Sequence, residues 1–178
     1  MATQVVNGTI NFTADFAESF STGLITAFSL PARITRSLTY ANATTGVLTV
    51  DQIHAKVYTL AAAVTQIDLT SLLDLNGNTM NMARVREFVC YNADTVSTHS
   101  VNVYRSSVSS ASASAWTILP LATAPITVWA NGGTFWLSDP NSLTTVGNVV
   151  GAASKYVTFD PGAFTVNLSV LIVGGSAA

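Results

Sequence analysis

Charge is what this chain has least of. Seven of its 178 residues are Lys or Arg and nine are Asp or Glu, so 9% are charged, where an ordinary soluble domain carries about 25%. With a formal net charge of −2 and no basic run, strong nonspecific nucleic-acid binding is unlikely, because that binding needs clustered Lys and Arg to release counterions. The closest basic pairs are Arg33 with Arg36 and Arg84 with Arg86; these four are the candidates for a local nucleic-acid-facing patch. Cysteine is nearly absent. Cys90 is the only one, which excludes an internal disulfide and any all-cysteine metal site within one chain. In the run Arg86-Glu87-Phe88-Val89-Cys90-Tyr91 it reads as a buried small hydrophobe. No apolar run reaches membrane length; Ala61-Ala62-Ala63-Val64 is far too short. Residues 1–9 have neither a positive n-region nor an apolar core, so no secretory leader is expected. The sequons at Asn7, Asn11, Asn42 and Asn167 are therefore not expected to carry glycans.

The residues of common catalytic motifs are also missing. His54 and His99 are the only histidines. No Gly-x-Ser-x-Gly elbow, His-Glu-x-x-His pair, phosphate-binding glycine loop or dense calcium-loop acid pattern accompanies them. His99 follows the polar run Asp94-Thr95-Val96-Ser97-Thr98 and reads as a solvent or interface residue. His54 heads a strand and is expected at its surface. No catalytic residue, cofactor or metal is expected, and the chain reads as a non-enzyme.

What is present is a succession of short alternating runs rich in Val, Thr, Ala, Ser and Leu, broken by Gly, Pro and Asn. Val64, Gln66 and Asp68 alternate with Thr65, Ile67 and Leu69, the period-two signature of a half-buried strand. Asn76-Gly77 marks a tight reversal, and Asp160-Pro161-Gly162 a second turn. Arg84, Arg86, Phe88 and Cys90 alternate with Val85, Glu87, Val89 and Tyr91; neither set is wholly polar, which suits a strand near a sheet end or a subunit contact. In the last strand Val166, Leu168, Val170 and Ile172 line one face, and its second half is apolar on both sides, as in an interior strand. Residues 106–115, almost all Ser and Ala, read as an exposed loop. The pattern predicts an all-β protein, an antiparallel β-sandwich of jelly-roll type, over residues 41–173. Residues 174–178 form a fraying tail.

Residues 1–40 read differently. Phe12, Phe16, Phe20 and Leu24 recur four apart, which on a helix makes one apolar stripe, with Thr13 as cap and Asp15 and Glu18 favourably placed in the first turns. The expectation is a short helix, with a strand or ordered arm as its rival. In either form these four residues are candidates for contact with another subunit. A weakly charged β surface has little like-charge repulsion to keep copies apart, which favours a homo-oligomer. Trp129 and Asn131, expected on one strand face beside Gly132-Gly133, are the candidates for contact with a glycan or a partner.

One resemblance bears on this. Asp68-Leu69, Asp74 through Asn78 and Ala83-Arg84-Val85 resemble a recurring segment of small virion structural proteins of bacterial viruses, which place Asp-Leu and then Asp-x-x-Gly-Asn before an Ala-Arg-Val strand. Gly132 through Pro140 resembles their glycine turn, apolar strand and Asp-Pro turn, and Val157-Thr158-Phe159 and Val166–Val173 their closing strands. The similarity spans roughly residues 60–173; the aromatic section 12–40 departs from it. It implies a capsid or head-decoration role in a virion, in company with other capsid proteins, and no catalytic residues. The competing expectation is a glycan-binding module of a virion fibre or adhesin.

Overall fold

The computed structural model describes residues 8–22, 25–43, 49–105, 125–137, 150 and 155–177. These contain strands and no helix. The protein is all-β, with antiparallel sheets in a sandwich-like arrangement.

One sheet contains β4 (Gln52–Ala61), β8 (Arg84–Asn92), β11 (Gly133–Leu137) and β13 (Thr165–Gly175), in the order β11-β8-β13-β4. The other contains β5 (Thr65–Asp68), β9 (Val101–Arg105), β10 (Ile126–Val128) and β12 (Tyr156–Asp160), in the order β10-β9-β12-β5. Every neighbouring pair in both sheets is antiparallel. Between β5 and β8 a small hairpin, β6 (Leu72–Leu73) and β7 (Thr79–Met80), turns at Asn76-Gly77, where Gly77 has a φ of 84°. The Asp74 carboxylate holds this turn by accepting from the Asn76 and Asn78 amides, both at 2.8 Å.

The alternation read in the sequence supplies the core. Leu60, Phe88, Cys90, Val166, Leu168, Val170 and Ile172 from one sheet, and Ile67, Val101, Val103, Val128, Val157 and Phe159 from the other, belong to one buried cluster. Each such side chain contributes roughly 1.5–3 kcal/mol when taken from water. β13 is the interior strand its apolar second half predicts, paired with β4 on one side and β8 on the other.

Residues 8–22 and 25–42 form no helix. β1 (Gly8–Thr22) and β2 (Ile25–Asn42) are two long antiparallel strands in register from Gly8 opposite Tyr40 to Phe20 opposite Phe28. A four-residue spacing is common to both structural periods, since it returns to the same side of a helix and to the same face of a strand. Phe12, Phe16 and Phe20 therefore could not decide between them; Leu24 lies outside the described residues, as does the Ser-rich segment 106–115. At the base of the hairpin, β3 (Thr49–Val50) pairs in parallel with Ala41 and Asn42.

The end of the chain is also more ordered than expected. β13 continues through Gly174 and Gly175, and Asp51 ties the strand end by accepting from the Ser176 amide at 2.8 Å and from its hydroxyl. The two glycines fit where no side chain could. A Cβ on Gly174 would lie 2.1 Å from the Arg84 carbonyl oxygen, and one on Gly175 would lie 2.5 Å from Arg84 Nε. The sequence pattern took the pair for a fraying end because glycine marks chain ends and close packing alike.

Gly174→Ala should therefore lower stability by about 1–3 kcal/mol or more, the usual cost of overpacking, as read from a denaturant melt. A variant as stable as the parent would show that β13 ends earlier. Cys90 is fully buried and burial pushes its thiol up, so a thiol reagent should label it only after denaturant is added.

Candidate functional site

Of the expected candidates among the described residues, only Trp129 and Asn131 lie on either of the molecule's two notable surfaces. Arg84 and Arg86 are 2% and 1% exposed; a bulge in β8 between Glu87 and Val85 puts Val85 in the core with Phe88 and Cys90 and turns Arg84 to the Thr49 side of the sheet. Arg84 Nη2 donates to Thr49 Oγ1 at 3.0 Å, which ties the base of the hairpin to the sandwich. Burial and the neighbouring Arg86 lower the Arg84 pKa, and Asp51 opposes them. An arginine read from sequence is taken to be at the surface because arginine is almost never buried unless paired. These two are interior residues, not a nucleic-acid face. Arg33 and Arg36 lie on β2, in register opposite Asp15 and Phe12.

The first surface is one end of the sandwich, where the β8–β9, β10–β11 and β12–β13 connections meet. Asn92 is fully buried and its amide donates to the His99 carbonyl at 3.1 Å and to the Val128 carbonyl at 3.4 Å, while its side-chain oxygen accepts from the Asp94 amide at 3.0 Å. Asp94 in turn accepts from the Val96 amide and contacts His99 Nδ1 at 2.8 Å. These interactions hold its carboxyl below the ordinary value, the Val96 amide first and His99 next. The His99 ring stacks on Phe164, with centroids 4.3 Å apart. The Asn131 amide donates to the Asp94 carbonyl at 2.9 Å, which binds the β10–β11 turn into the same cluster.

Trp129 and Asn131 do sit together, but on that turn rather than on a strand face. β10 ends at Val128, the Gly132 amide closes on the Trp129 carbonyl at 2.8 Å, and Asn131 takes the positive φ of 54° that such a turn requires. The turn leaves Trp129 61% exposed, an aromatic surface suited to a sugar ring or a partner side chain.

The second surface is the outer face of the β11-β8-β13-β4 sheet. Ala55 and Val57 from β4, Ser169 and Leu171 from β13, and Val89 and Tyr91 from β8 line an open apolar groove of about 450 Å³. Val57 is 59% and Tyr91 45% exposed. Gly133 lies opposite Tyr91 in the ladder, and a Cβ there would come within 3.8 Å of the tyrosine ring. One end of this face is already covered. Tyr40 and Val50 pack on Val173, Ile53 and Leu171, and the Tyr40 hydroxyl donates to the fully buried Glu87 carboxylate. The alternation Val85, Glu87, Val89, Tyr91 pointed to an unusual face but could not say that Tyr40 covers its acid.

His54 is not at the surface. It is 3% exposed, and its ring nitrogens contact the Leu73 carbonyl at 2.7 Å and the Tyr58 hydroxyl at 2.8 Å. Burial pushes the Tyr58 phenol up to about 12. Nearby, Lys155 donates to Asp68 at 2.6 Å and Thr70 caps the same carboxylate. Burial raises the Asp68 pKa, but the bonds from Lys155 and Thr70 outweigh it and hold the group below its ordinary value. Among the described residues no three His, Cys, Asp or Glu side chains come together as a metal site, and no helix is long and apolar enough to cross a membrane.

No family model, curated protein or solved structure matches this chain.

Asp68, Asp74 and Asp94 all have carboxyl pKa values below the ordinary 3.8. A group depressed in the folded state adds stability above its unfolded pKa and loses it as pH falls through the folded value. The melting temperature should thus be level above about pH 5 and fall from there towards pH 2. Asp68→Asn should lower the plateau and flatten the fall; a variant with the parent's full acid dependence would remove Asp68 from this account.

Proposed function

We propose that this protein is a non-enzymatic structural component of a virus particle, a jelly-roll subunit that self-assembles into a capsid or decorates one. The observation that carries the reading is the pairing scheme. Numbering the eight sandwich strands in chain order, the first pairs with the eighth (β4 with β13), the second with the seventh (β5 with β12), the third with the sixth (β8 with β11) and the fourth with the fifth (β9 with β10). This nested pairing across two four-stranded sheets supports a jelly roll, an architecture used by viral capsid and lectin domains. The resemblance of residues 60–173 to phage virion proteins points the same way.

Fold does not set function, so the surfaces must argue for assembly. A chain with sixteen charged residues that leaves an apolar groove on one sheet face and extends a two-stranded arm has the features of a subunit completed by neighbours. Both histidines are engaged in structural contacts, His54 with a backbone carbonyl and a phenol and His99 with Asp94 and Phe164, which favours a structural role over a catalytic one. The second reading, glycan binding by a fibre or adhesin module, is favoured by Trp129 alone.

Light scattering with electron microscopy of the purified protein tests the proposal. Closed shells, rings or defined oligomers are expected, or binding to preformed virions; a monomer at every concentration that also ignores virions would refute it. Trp129→Ala should assemble like the parent. Saturable glycan binding that disappears in that variant would move the protein to the second reading.

A further inference from the structure

Along β4 the even-numbered side chains lie on the inner face of the sandwich. His54, Lys56 and Tyr58 stand opposite Ile172, Val170 and Leu168 of β13, three residues of the buried core, and paired positions across a ladder share a face. Leu60 continues the parity and is itself in the core. Three polar groups therefore occupy positions where the same face of β13 supplies only hydrocarbon. They border a crevice of about 270 Å³ between the two sheets, lined also by Gln66, Ile67 and Asp68 of β5 and by Ser71, Leu72 and Leu73. An inward lysine on an edge strand also deters pairing between copies. A guard of that kind needs neither a cavity before it nor a histidine, 3% exposed, beside it. Such a local break in an otherwise apolar face is where a functional site is expected.

We infer that this crevice binds a small sugar acid, with Lys56 receiving its carboxylate. The site stands apart from the assembly proposed above and does not rest on it. Charge sets the sign of the ligand. Asp68 is the one carboxylate among the described lining residues, and both its oxygens are engaged, Oδ2 by Lys155 at 2.6 Å and Oδ1 by the Thr70 amide and hydroxyl. Lys56 Nζ rests instead over the Tyr58 ring, 4.9 Å from its centroid. Two ammonium groups thus accompany one carboxylate, and the excess positive charge sits on an exposed side chain of the crevice. The base beneath it is fixed. The Leu73 carbonyl can only accept, so the neutral His54 ring carries its proton on Nδ1 and its Nε2 accepts from the Tyr58 hydroxyl. The Tyr58 phenol, pushed up to about 12 by burial, keeps its proton at neutral pH and is held in place below the lysine. Size and lining select the rest of the ligand. The volume equals that of about nine waters at ~30 Å³ each, more than a bare carboxylate or phosphate fills. The Gln66 amide and the Ser71 hydroxyl offer donors and acceptors to ring hydroxyls, and the buried Ile67 and Leu72 offer an apolar wall to ring carbons. A sugar acid brings one negative charge, several hydroxyls and a compact ring.

NMR titration of the full-length protein with D-galacturonate tests the site, with D-galactose as the uncharged control. Galacturonate should bind saturably and move the ring proton signals of His54, one of only two histidines. Galactose should bind at least about tenfold more weakly, the worth of one contact to a charged group. Lys56→Gln should weaken galacturonate binding by the same factor and melt like the parent, because Lys56 is exposed. Trp129→Ala should bind galacturonate like the parent. Absence of saturable binding, equal binding of the two sugars, full affinity in Lys56→Gln or unmoved His54 signals would each overturn the site. Loss of binding in Trp129→Ala would place the sugar at the β10–β11 turn and overturn it as well. Tetragalacturonate that binds more tightly than the monomer would identify a polysaccharide as the source of the ligand, and equal affinity a free sugar acid; either result supports the crevice. None of these readouts depends on the oligomeric state, so failure here leaves the assembly reading standing.

Discussion

The structure depends on β13 being held from both sides. The last strand enters the sheet between β4 and β8, so the ladder that completes the core joins residue 61 to residue 165 and residue 92 to residue 168. Until it is in place, β4 and β8 are not neighbours, and the inner faces they present, with Leu60, Phe88 and Cys90, have only half of their packing partners. The cost of closing such long loops is met before the contacts repay it. The strand that arrives last also supplies four core side chains, Val166, Leu168, Val170 and Ile172. Its glycine end, lying against the Arg84 backbone, and the Ser176–Asp51 tie then fix its register.

That central strand also links the core to the apolar groove. Its inner parity builds the sandwich, and its outer parity, Ser169, Leu171 and Val173, forms the floor of the groove and the seat for Tyr40. A change on either face is felt on the other, because a one-residue slip in a strand exchanges the two faces. Opposite the Val173–Gly174 step, β8 carries Arg86 as an extra residue, and the faces exchange there: Val85 joins the core and Arg84 reaches Thr49.

Much of the sandwich was legible in the sequence, because period-two alternation and turn chemistry are local signals. The face of Val166 through Ile172, the Ile67–Leu69 parity, the Asn76-Gly77 reversal and the Asp160-Pro161-Gly162 turn all followed from neighbouring residues alone. The failures lie where a local pattern fits two structures or where the deciding partner is distant in sequence. The phenylalanines four apart satisfied a helix and a strand equally, and only the partner strand from Phe28 to Leu38 separated them. Arg84, Arg86 and His54 looked like surface residues because Thr49, Leu73 and Tyr58, which engage Arg84 and His54, could not be assigned to them from sequence spacing. The two candidates at Trp129 and Asn131 were found, but as a turn rather than a strand, since the Gly132 amide closes on Trp129 one residue earlier than the glycine pair suggested.

The scarcity of charge has a structural reason in this arrangement. Soluble β proteins protect their sheet edges and open faces with Lys, Glu and Pro, and that protection prevents copies from pairing. Here the edge strand β4 carries one lysine among Ala55, Val57 and Thr59, and the odd side of the hairpin is neutral apart from Asp15 and Arg33. Thr, Ser and Asn keep such surfaces wettable without making them repel a like surface, so any association would be limited by fit rather than by charge. The same choice carries a hazard. With little electrostatic repulsion, incorrect contacts between copies would cost little more than correct ones, so selectivity in any assembly would have to come from shape.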